Sequence, residues 1–341
     1  MRAKNTIADK TCLFTYTTEQ SSDNEHMIRV DSPFRDKWQP VLLYCLKKYW
    51  ELRQYGFAVL IMANGEYWIF PKLYPDHGEN KTDGAKHSEE ILIGQINQFL
   101  LHMGINVIRI LIYTFKSPCL WRSDGNVCCT KKLLEQTHDW HRKFGISTDV
   151  AFTEFWGCGP HCFKDLTYDH VSEPSSVFHS YFQTCVFKLL SKDAAKIYGS
   201  DNSENENIDD NIKRANDKLL KLGQKPNPRT AEEHLRQGQE VIDSFKLEKE
   251  INKKLLDKWS QLVKNSALKR IKQKITADYN SRASTHVYTD IMSKLGENCY
   301  LKFVIYPKPS SKAKPTSTQP NRSRQMAAQT ESGSAGGCFF R

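Results

Sequence analysis

Long apolar runs are missing from this sequence. Nothing in its 341 residues approaches the roughly 18 consecutive apolar positions that a membrane-crossing helix needs, so no transmembrane segment is expected. The opening residues Met1-Arg2-Ala3-Lys4-Asn5 run into Thr, Asp and Lys with no apolar h-region, so no secretory signal peptide is expected either. No internal repeat is visible. Net charge is absent from the first 190 residues, where 21 Lys+Arg meet 21 Asp+Glu, although the whole chain carries +10. Whatever the basic excess does belongs to the C-terminal part. Cysteine is the exception, with ten residues. A chain this long with no signal peptide is unlike a small disulfide-stapled secreted domain. The cysteines therefore read as those of an intracellular protein, cytoplasmic and/or nuclear, with some of them holding a metal.

The pattern of apolar positions alternates between two periods. Trp38, Val41, Leu42, Cys45, Leu46, Tyr49 and Leu52 recur at steps of three and four, which predicts a helix. The apolar run Phe57–Met62, then Asn64-Gly65, then Tyr67–Phe70 predicts a hairpin with both turn residues at positive φ. A second helix is expected from His87, with Ile91, Leu92, Ile96, Phe99, Leu100 and Met103 on one face and Gly104 ending it. Ile105–Thr114 reads as a strand buried on both faces, with Arg109 discordant. A helix over Cys129–Phe144, a strand over Thr148–Trp156 and a helix over Ser176–Leu190 follow. Strands alternating with helices imply an α/β sandwich built on a single sheet.

At Gly199 the character changes to a polar, acidic stretch that reads as a linker. Thr230 and Glu233 then fit a capping box, and a helical pattern runs to about Tyr279. Cys299–Tyr306 reads as a late strand, and the Ser/Pro/Gln/Gly-rich end as disordered. The expected organisation is an N-terminal segment 1–35, a core domain 36–192, an acidic linker 193–215, a basic, mostly helical extension 216–306 and a basic tail 307–341.

Three pieces carry chemistry, in order. His87-Ser88-Glu89 opens a helix, Pro118-Cys119 follows a strand, and Cys128-Cys129 opens the next helix. One imidazole and two thiolates suit Zn²⁺, with the fourth position left to water, whose pKa zinc lowers toward ~7. A carboxylate that is not a ligand can move protons between that water and a leaving amine. Residues two apart on a helix diverge, so His87 and Glu89 share one site only if it lies at the helix end.

The order H-x-E, then P-C, then a second cysteine resembles the zinc-dependent cytidine deaminase superfamily, and within it the AID/APOBEC-like polynucleotide deaminases. Tyr113–Cys119 is similar to the family's strand into Ser-Pro-Cys, and Phe152–Trp156 to the strand whose following loop reads a neighbouring nucleotide. The resemblance covers about residues 36–190. It implies a cytidine-deaminase-like three-layer α/β/α sandwich with one mixed sheet, the helical extension and tail being additions. It also implies one Zn²⁺ per chain, held by His87, Cys119 and Cys129 (or Cys128), with Glu89 as the general acid/base. The activity implied is hydrolysis of cytosine to uracil in single-stranded DNA or RNA. Free nucleosides or nucleotides as substrate, and a catalytically inactive deaminase-fold protein that binds nucleic acid, are the alternatives.

Two features depart from the family pattern. Nine residues, Leu120–Cys128, separate Cys119 from Cys129, where the family has about two to four. Trp121, Arg122 and Asp124 in this insertion are expected beside the pocket. Lys116 also stands before Ser117, where the AID/APOBEC group often has Trp. Candidate substrate contacts are Asn80 in the loop before His87, Trp121, and Phe155 and Trp156 as base-stacking aromatics. Lys253, Lys254, Lys258, Lys264, Lys269, Arg270, Lys272 and Lys274 against Asp257 give +7 on one amphipathic helix, which suits a nucleic-acid phosphate backbone, with an acidic membrane surface or protein, or a core-packed helix with a solvated Lys face, as the alternatives. The sequence leaves a homo-oligomer open.

Overall fold

The computed structural model describes residues 39–76, 86–122, 124–189, 210–296 and 299–306. Segment 1–35, Asn80, the tail 307–341 and residues 193–209 of the expected linker lie outside them. The described residues divide into two compact units, one made of 39–159 with 280–306, the other of Pro160–Tyr279.

The first unit is built on strand β1 (Gly56–Met62), whose seven residues are all buried because it is flanked on both sides. Antiparallel neighbours are β2 (Tyr67–Leu73) and β3 (Val107–Lys116); β4 (Ser147–Glu154) then pairs with β3 in parallel, and β5 (Leu301–Ile305) with β4 in parallel. The sheet order is β2-β1-β3-β4-β5. Successive β1 side chains alternate between faces. Ala58, Leu60 and Met62 meet Leu92, Ile96 and Leu100 of α2 (Ser88–Met103) and Leu133 and Trp140 of α3 (Cys129–Phe144). Phe57, Val59 and Ile61 meet Val41, Leu42, Cys45 and Leu46 of α1 (Gln39–Tyr49). This is the expected three-layer α/β/α sandwich on one mixed sheet. Arg109 is accounted for by Asp149 on the neighbouring strand, 2.5 Å away.

The hairpin turn differs from expectation. Only Gly65 has positive φ, 84°, and the connection is a tight turn closed by the Gly65 N–H on the Met62 carbonyl at 3.0 Å. The Asn64 side chain accepts the Glu66 N–H instead of adopting a left-handed backbone.

The second unit corrects three expectations. The Ser176–Leu190 helix is only α5 (His179–Gln183), because Phe187 leaves the helix to exchange backbone hydrogen bonds with Arg229. A short helix, α4 (Tyr168–Ser172), precedes it. The linker ends by residue 209, since Asp210 opens α6 (Asp210–Gln224) on a buried face of Ile212, Ala215, Leu219 and Leu222. Helix α7 (Ala231–Asp243) starts at the Thr230–Glu233 capping box, and the helical run then breaks at Lys246, φ 48°, before α8 (Lys249–Leu295). Trp259 of α8 lies so close to Gly238 of α7 that a Cβ there would sit 1.9 Å from its Nε1.

Helix α8 runs 47 residues, past Tyr279, and its last part belongs to the first unit. Residues 280–306, read from sequence as the end of an appendage, are therefore part of the sandwich: a helical crossover and a fifth strand. Tyr288 from this segment is fully buried, stacked on Phe303 at 4.1 Å and 9°. We expect deletion of residues 280–306 to abolish cooperative unfolding of the sandwich, read by near-ultraviolet circular dichroism on heating; a chain that still melts cooperatively without them would contradict the fold.

Candidate active site

The site forms where one strand end meets two helix starts. His87 is the N-cap of α2, Cys119 follows the end of β3, and Cys129 is the first residue of α3. One ligand atom from each lies within 4.8 Å of the other two. The His87 Nδ1 is 3.2 Å from Cys129 Sγ and 3.6 Å from Cys119 Sγ, and the Cys129 N–H donates to Cys119 Sγ at 3.2 Å. Cys128 is the N-cap of α3 and stands outside the cluster, so of the two neighbouring cysteines Cys129 is the one brought to the site. Donation by the Cys129 thiol, then by His87 and the Cys129 amide, pulls the Cys119 thiol down to about 5. A half-buried imidazole with one readily ionised thiol and a second thiol beside it is an N/S donor set that suits zinc.

Glu89 is buried beside these three residues, with 2% of its surface exposed, and burial pushes its carboxyl up to about 7. A short relay holds it. The Lys116 N–H donates to Gln54 Oε1 at 2.8 Å, Gln54 Nε2 to Ser88 Oγ at 3.1 Å, and Ser88 Oγ to Glu89 Oε2 at 3.0 Å. Gln54 and Ser88 were not anticipated from sequence, and a loop Gln carries no signal that would have found it.

The neighbouring Glu90 was also missed, although its place three residues after an N-cap is the capping-box position. Its carboxylate accepts the His87 N–H at 2.8 Å, pairs with Arg122 Nη1 at 2.6 Å and bonds Lys132. Glu90 thus ties α2, the insertion and α3 together at the point where both helices present metal-ligand candidates. Arg122 also grips Asp124 at 2.6 Å, and Asp124 accepts the Asn126 N–H at 3.0 Å. Arg122 and Asp124, expected beside the pocket, are engaged in folding the insertion. Trp121 next to them is half exposed, at 52%.

Of the two aromatics after β4, Phe155 is half-buried and packs edge-on to Phe152 at 5.2 Å, against the core. Trp156 is half-buried, with Lys116 Nζ 3.6 Å from its ring centroid. The lysine before Ser117 therefore lies over the segment that follows β4, and burial lowers its ammonium pKa.

The eight expected phosphate-binding cations of α8 do not share one face. Leu255, Trp259, Val263, Ala267, Ile271, Ile275 and Tyr279 are buried at every fourth position. Four residues turn about 400°, so this stripe and its flanking ridges drift about 40° per step. Lys254, Lys258, Arg270 and Lys274 lie on one flanking ridge, Lys264 and Lys272 on the other, and Lys253 and Lys269 opposite the stripe. Within the second unit Lys264 sits over the Tyr168 ring at 5.4 Å, Lys272 donates to the Lys164 carbonyl at 2.6 Å, and Lys274 lies over the Tyr181 ring at 5.5 Å.

Comparison with known proteins agrees with this geometry. Residues 45–185 match a protein family described as Secreted Novel AID/APOBEC-like Deaminase 3. That match supports the AID/APOBEC-like deaminase superfamily for this part of the chain. No curated protein and no solved structure matches the chain. The match stops at 185, so the crossover segment and the fifth strand of the sandwich lie beyond it. Among the described residues, no helix is long and apolar enough to cross a membrane.

The Glu89 carboxyl gives a pH test on chelator-treated protein. Its folded pKa, about 7, lies above its ordinary 4.5, so the folded state holds this proton more tightly. Its contribution is therefore fully present below about pH 4.5 and lost as pH rises through 7. Above that an ionised buried carboxylate costs about 3 kcal/mol. Glu89→Gln should be about that much more stable than the parent at pH 8.5, with the gap closing by pH 4.5, as urea unfolding at the two pH values would show.

Proposed function

We propose that the domain is a zinc-dependent hydrolase that converts cytosine to uracil in single-stranded DNA or RNA, releasing ammonia. The observation that carries this reading is the buried Glu89 carboxylate packed against the His87, Cys119 and Cys129 donor set at the meeting of two helix starts. His87, Cys119 and Cys129 would hold one Zn²⁺. When bound, the metal supplies a Lewis acid that makes water nucleophilic at neutral pH. Glu89 then moves protons: it takes one from the attacking water and delivers it toward the ring and the departing amine. The Ser88–Gln54 relay fixes the carboxylate orientation so that no reorganisation is needed at the moment of transfer.

A single-stranded polymer fits better than a duplex, because the exocyclic amine of a stacked, paired base is out of reach of a buried site. The exposed part of Trp121 and the Lys116–Trp156 pair supply aromatic and cationic surface at the rim for a base and its phosphate. Lys254, Lys258, Arg270 and Lys274 supply a further phosphate-binding ridge. Trp121, Phe155 and Trp156 are the aromatic candidates for stacking a base, and Asn80, the candidate ribose contact, lies outside the described residues.

The proposal includes an intracellular setting. It is supported by free thiols at Cys45, Cys128, Cys185 and Cys299, which suit a reducing compartment, and it runs against the word secreted in the matched family's description. Recovery of the full chain from the medium of expressing cells, and not from their lysate, would overturn that part.

The deciding assay compares a cytosine-containing oligonucleotide with free cytidine, on protein whose metal content has been measured. We expect about one zinc per chain, uracil from the oligonucleotide only, and at least a hundredfold loss in Glu89→Gln, in line with roughly 10²–10⁴ for a general acid/base. Deamination of cytidine alone would move the enzyme to the nucleoside class. Zinc-loaded protein with no activity on either would leave an inactive binding domain.

A further inference from the structure

Helix α8 enters the deaminase domain at Asn280, and from there its buried polar residues share a single ridge. Asn280, Ser284 and Tyr288 follow one another at steps of four, each at most 3% exposed. Buried polar groups are costly unless paired, so where they point is informative. All three point at the two loops that frame the site.

Asn280 takes the loop after β4. Its Oδ1 accepts the Cys158 N–H at 2.9 Å and its Nδ2 reaches the Gly159 carbonyl at 3.5 Å. The chain passes so close that a Cβ on Gly157 would lie 2.9 Å from Asn280 Oδ1 and 3.1 Å from Ser284 Oγ, and Gly157 has φ +49°. Only glycine meets both conditions without strain. Tyr288 takes the loop that carries Cys119. Its hydroxyl donates to the Pro118 carbonyl at 2.7 Å, amid the hydroxyls of Ser117, Thr130 and Ser284, while its ring is fixed between Phe303 and Phe152. The Thr130 hydroxyl donates to the same carbonyl at 3.4 Å. The two loops are also tied to each other, by Leu120 N–H on the Gly157 carbonyl and Trp156 N–H on Ser117 Oγ, both at 2.9 Å.

We propose that Asn280 and Tyr288 are positioning residues of the site: one ridge of the crossover helix sets the peptide that presents Cys119 and, separately, the segment that presents Trp156. Tyr288 acts on the metal ligands through the Pro118 carbonyl, as groups one shell out from a metal orient its ligands. Asn280 acts on the substrate-facing segment through its backbone. The inference rests on the metal-site reading for the first role only.

The test uses the full chain with Tyr288→Phe and Asn280→Ala, read by cobalt(II) titration and by hydrogen exchange resolved by peptide. Tyr288→Phe keeps the aromatic stack and removes one hydroxyl. It should weaken cobalt about tenfold, shift the cobalt–thiolate absorption, and speed exchange across residues 117–130. Asn280→Ala should speed exchange at residues 156–159 and leave cobalt affinity within about twofold, since it touches no ligand-bearing loop. Unchanged cobalt binding and unchanged exchange in Tyr288→Phe would overturn the proposal. So would loss of affinity in both variants in step with their melting temperatures, which is what plain destabilisation gives. A parent that binds no cobalt would refute the metal reading, and the exchange pattern at the two loops would then decide the positioning roles alone.

Discussion

Two parallel strands cannot be joined by a tight turn; the chain must leave the end of the first and return to the start of the second. Strands β4 and β5 are such a pair, and most of the molecule's organisation follows from that. The return path is the last third of α8, which packs Tyr288, Val287, Ile291 and Met292 on the sheet face already covered by α2 and α3. The outward path, from Pro160 to Tyr279, is free to be long, and it holds a unit of its own. An insertion placed in a crossover has to respect one condition only, that the chain comes back as a helix of the right length and direction. Helix α8 starts within Pro160–Tyr279, continues through Asn280 and ends at Leu295, ahead of β5.

The site obeys a second constraint, desolvation. Glu89 sits where water is scarce, which raises its pKa and makes its hydrogen bonds worth more than they would be at the surface. Such a carboxylate needs its position fixed from several directions. The fixing groups come from the loop before β1, the end of β3, the insertion and α3, and they meet at Ser88 and Glu90, the two residues flanking Glu89. Arg122 explains why the long insertion is tolerated. A nine-residue bulge beside a buried site would expose it, but an arginine folded back between Glu90 and Asp124 closes the bulge against the helix start.

What could be read from the sequence was what is local. The apolar run of β1, the periodic stripes of α2 and α3, and the Thr230 capping box are each fixed by neighbours within a few positions. So are the places of His87, Cys119 and Cys129, because a helix start or strand end is a local event, and three such events in order carry the resemblance to the superfamily. The contacts that make a site of them are not local. Gln54 meets Ser88 across 34 positions, Arg122 meets Glu90 across 32, and Tyr288 meets Pro118 across 170. No periodicity encodes such pairings, and the same distance effect hid the fifth strand inside an apparent appendage. The segment after α5 failed for a related reason: Phe187 has helical spacing from its neighbours, but a backbone pairing with Arg229 outweighs it.

The basic helix shows how a charge count misleads without geometry. Eight cations against one acid suggest a single strongly positive face, yet a four-residue repeat spreads them over three drifting ridges. On the ridge with the most, Lys254 and Lys258 stand about 6 Å apart along the axis, as do Arg270 and Lys274, with about 18 Å between the two pairs. At physiological salt charges that far apart are screened from one another, since the Debye length is about 8 Å. A phosphate chain lying along this ridge would meet two doublets with Leu262 and Ser266 between them. The local potential is that of two charges at a time, and a net +7 overstates what any one stretch of ligand can feel.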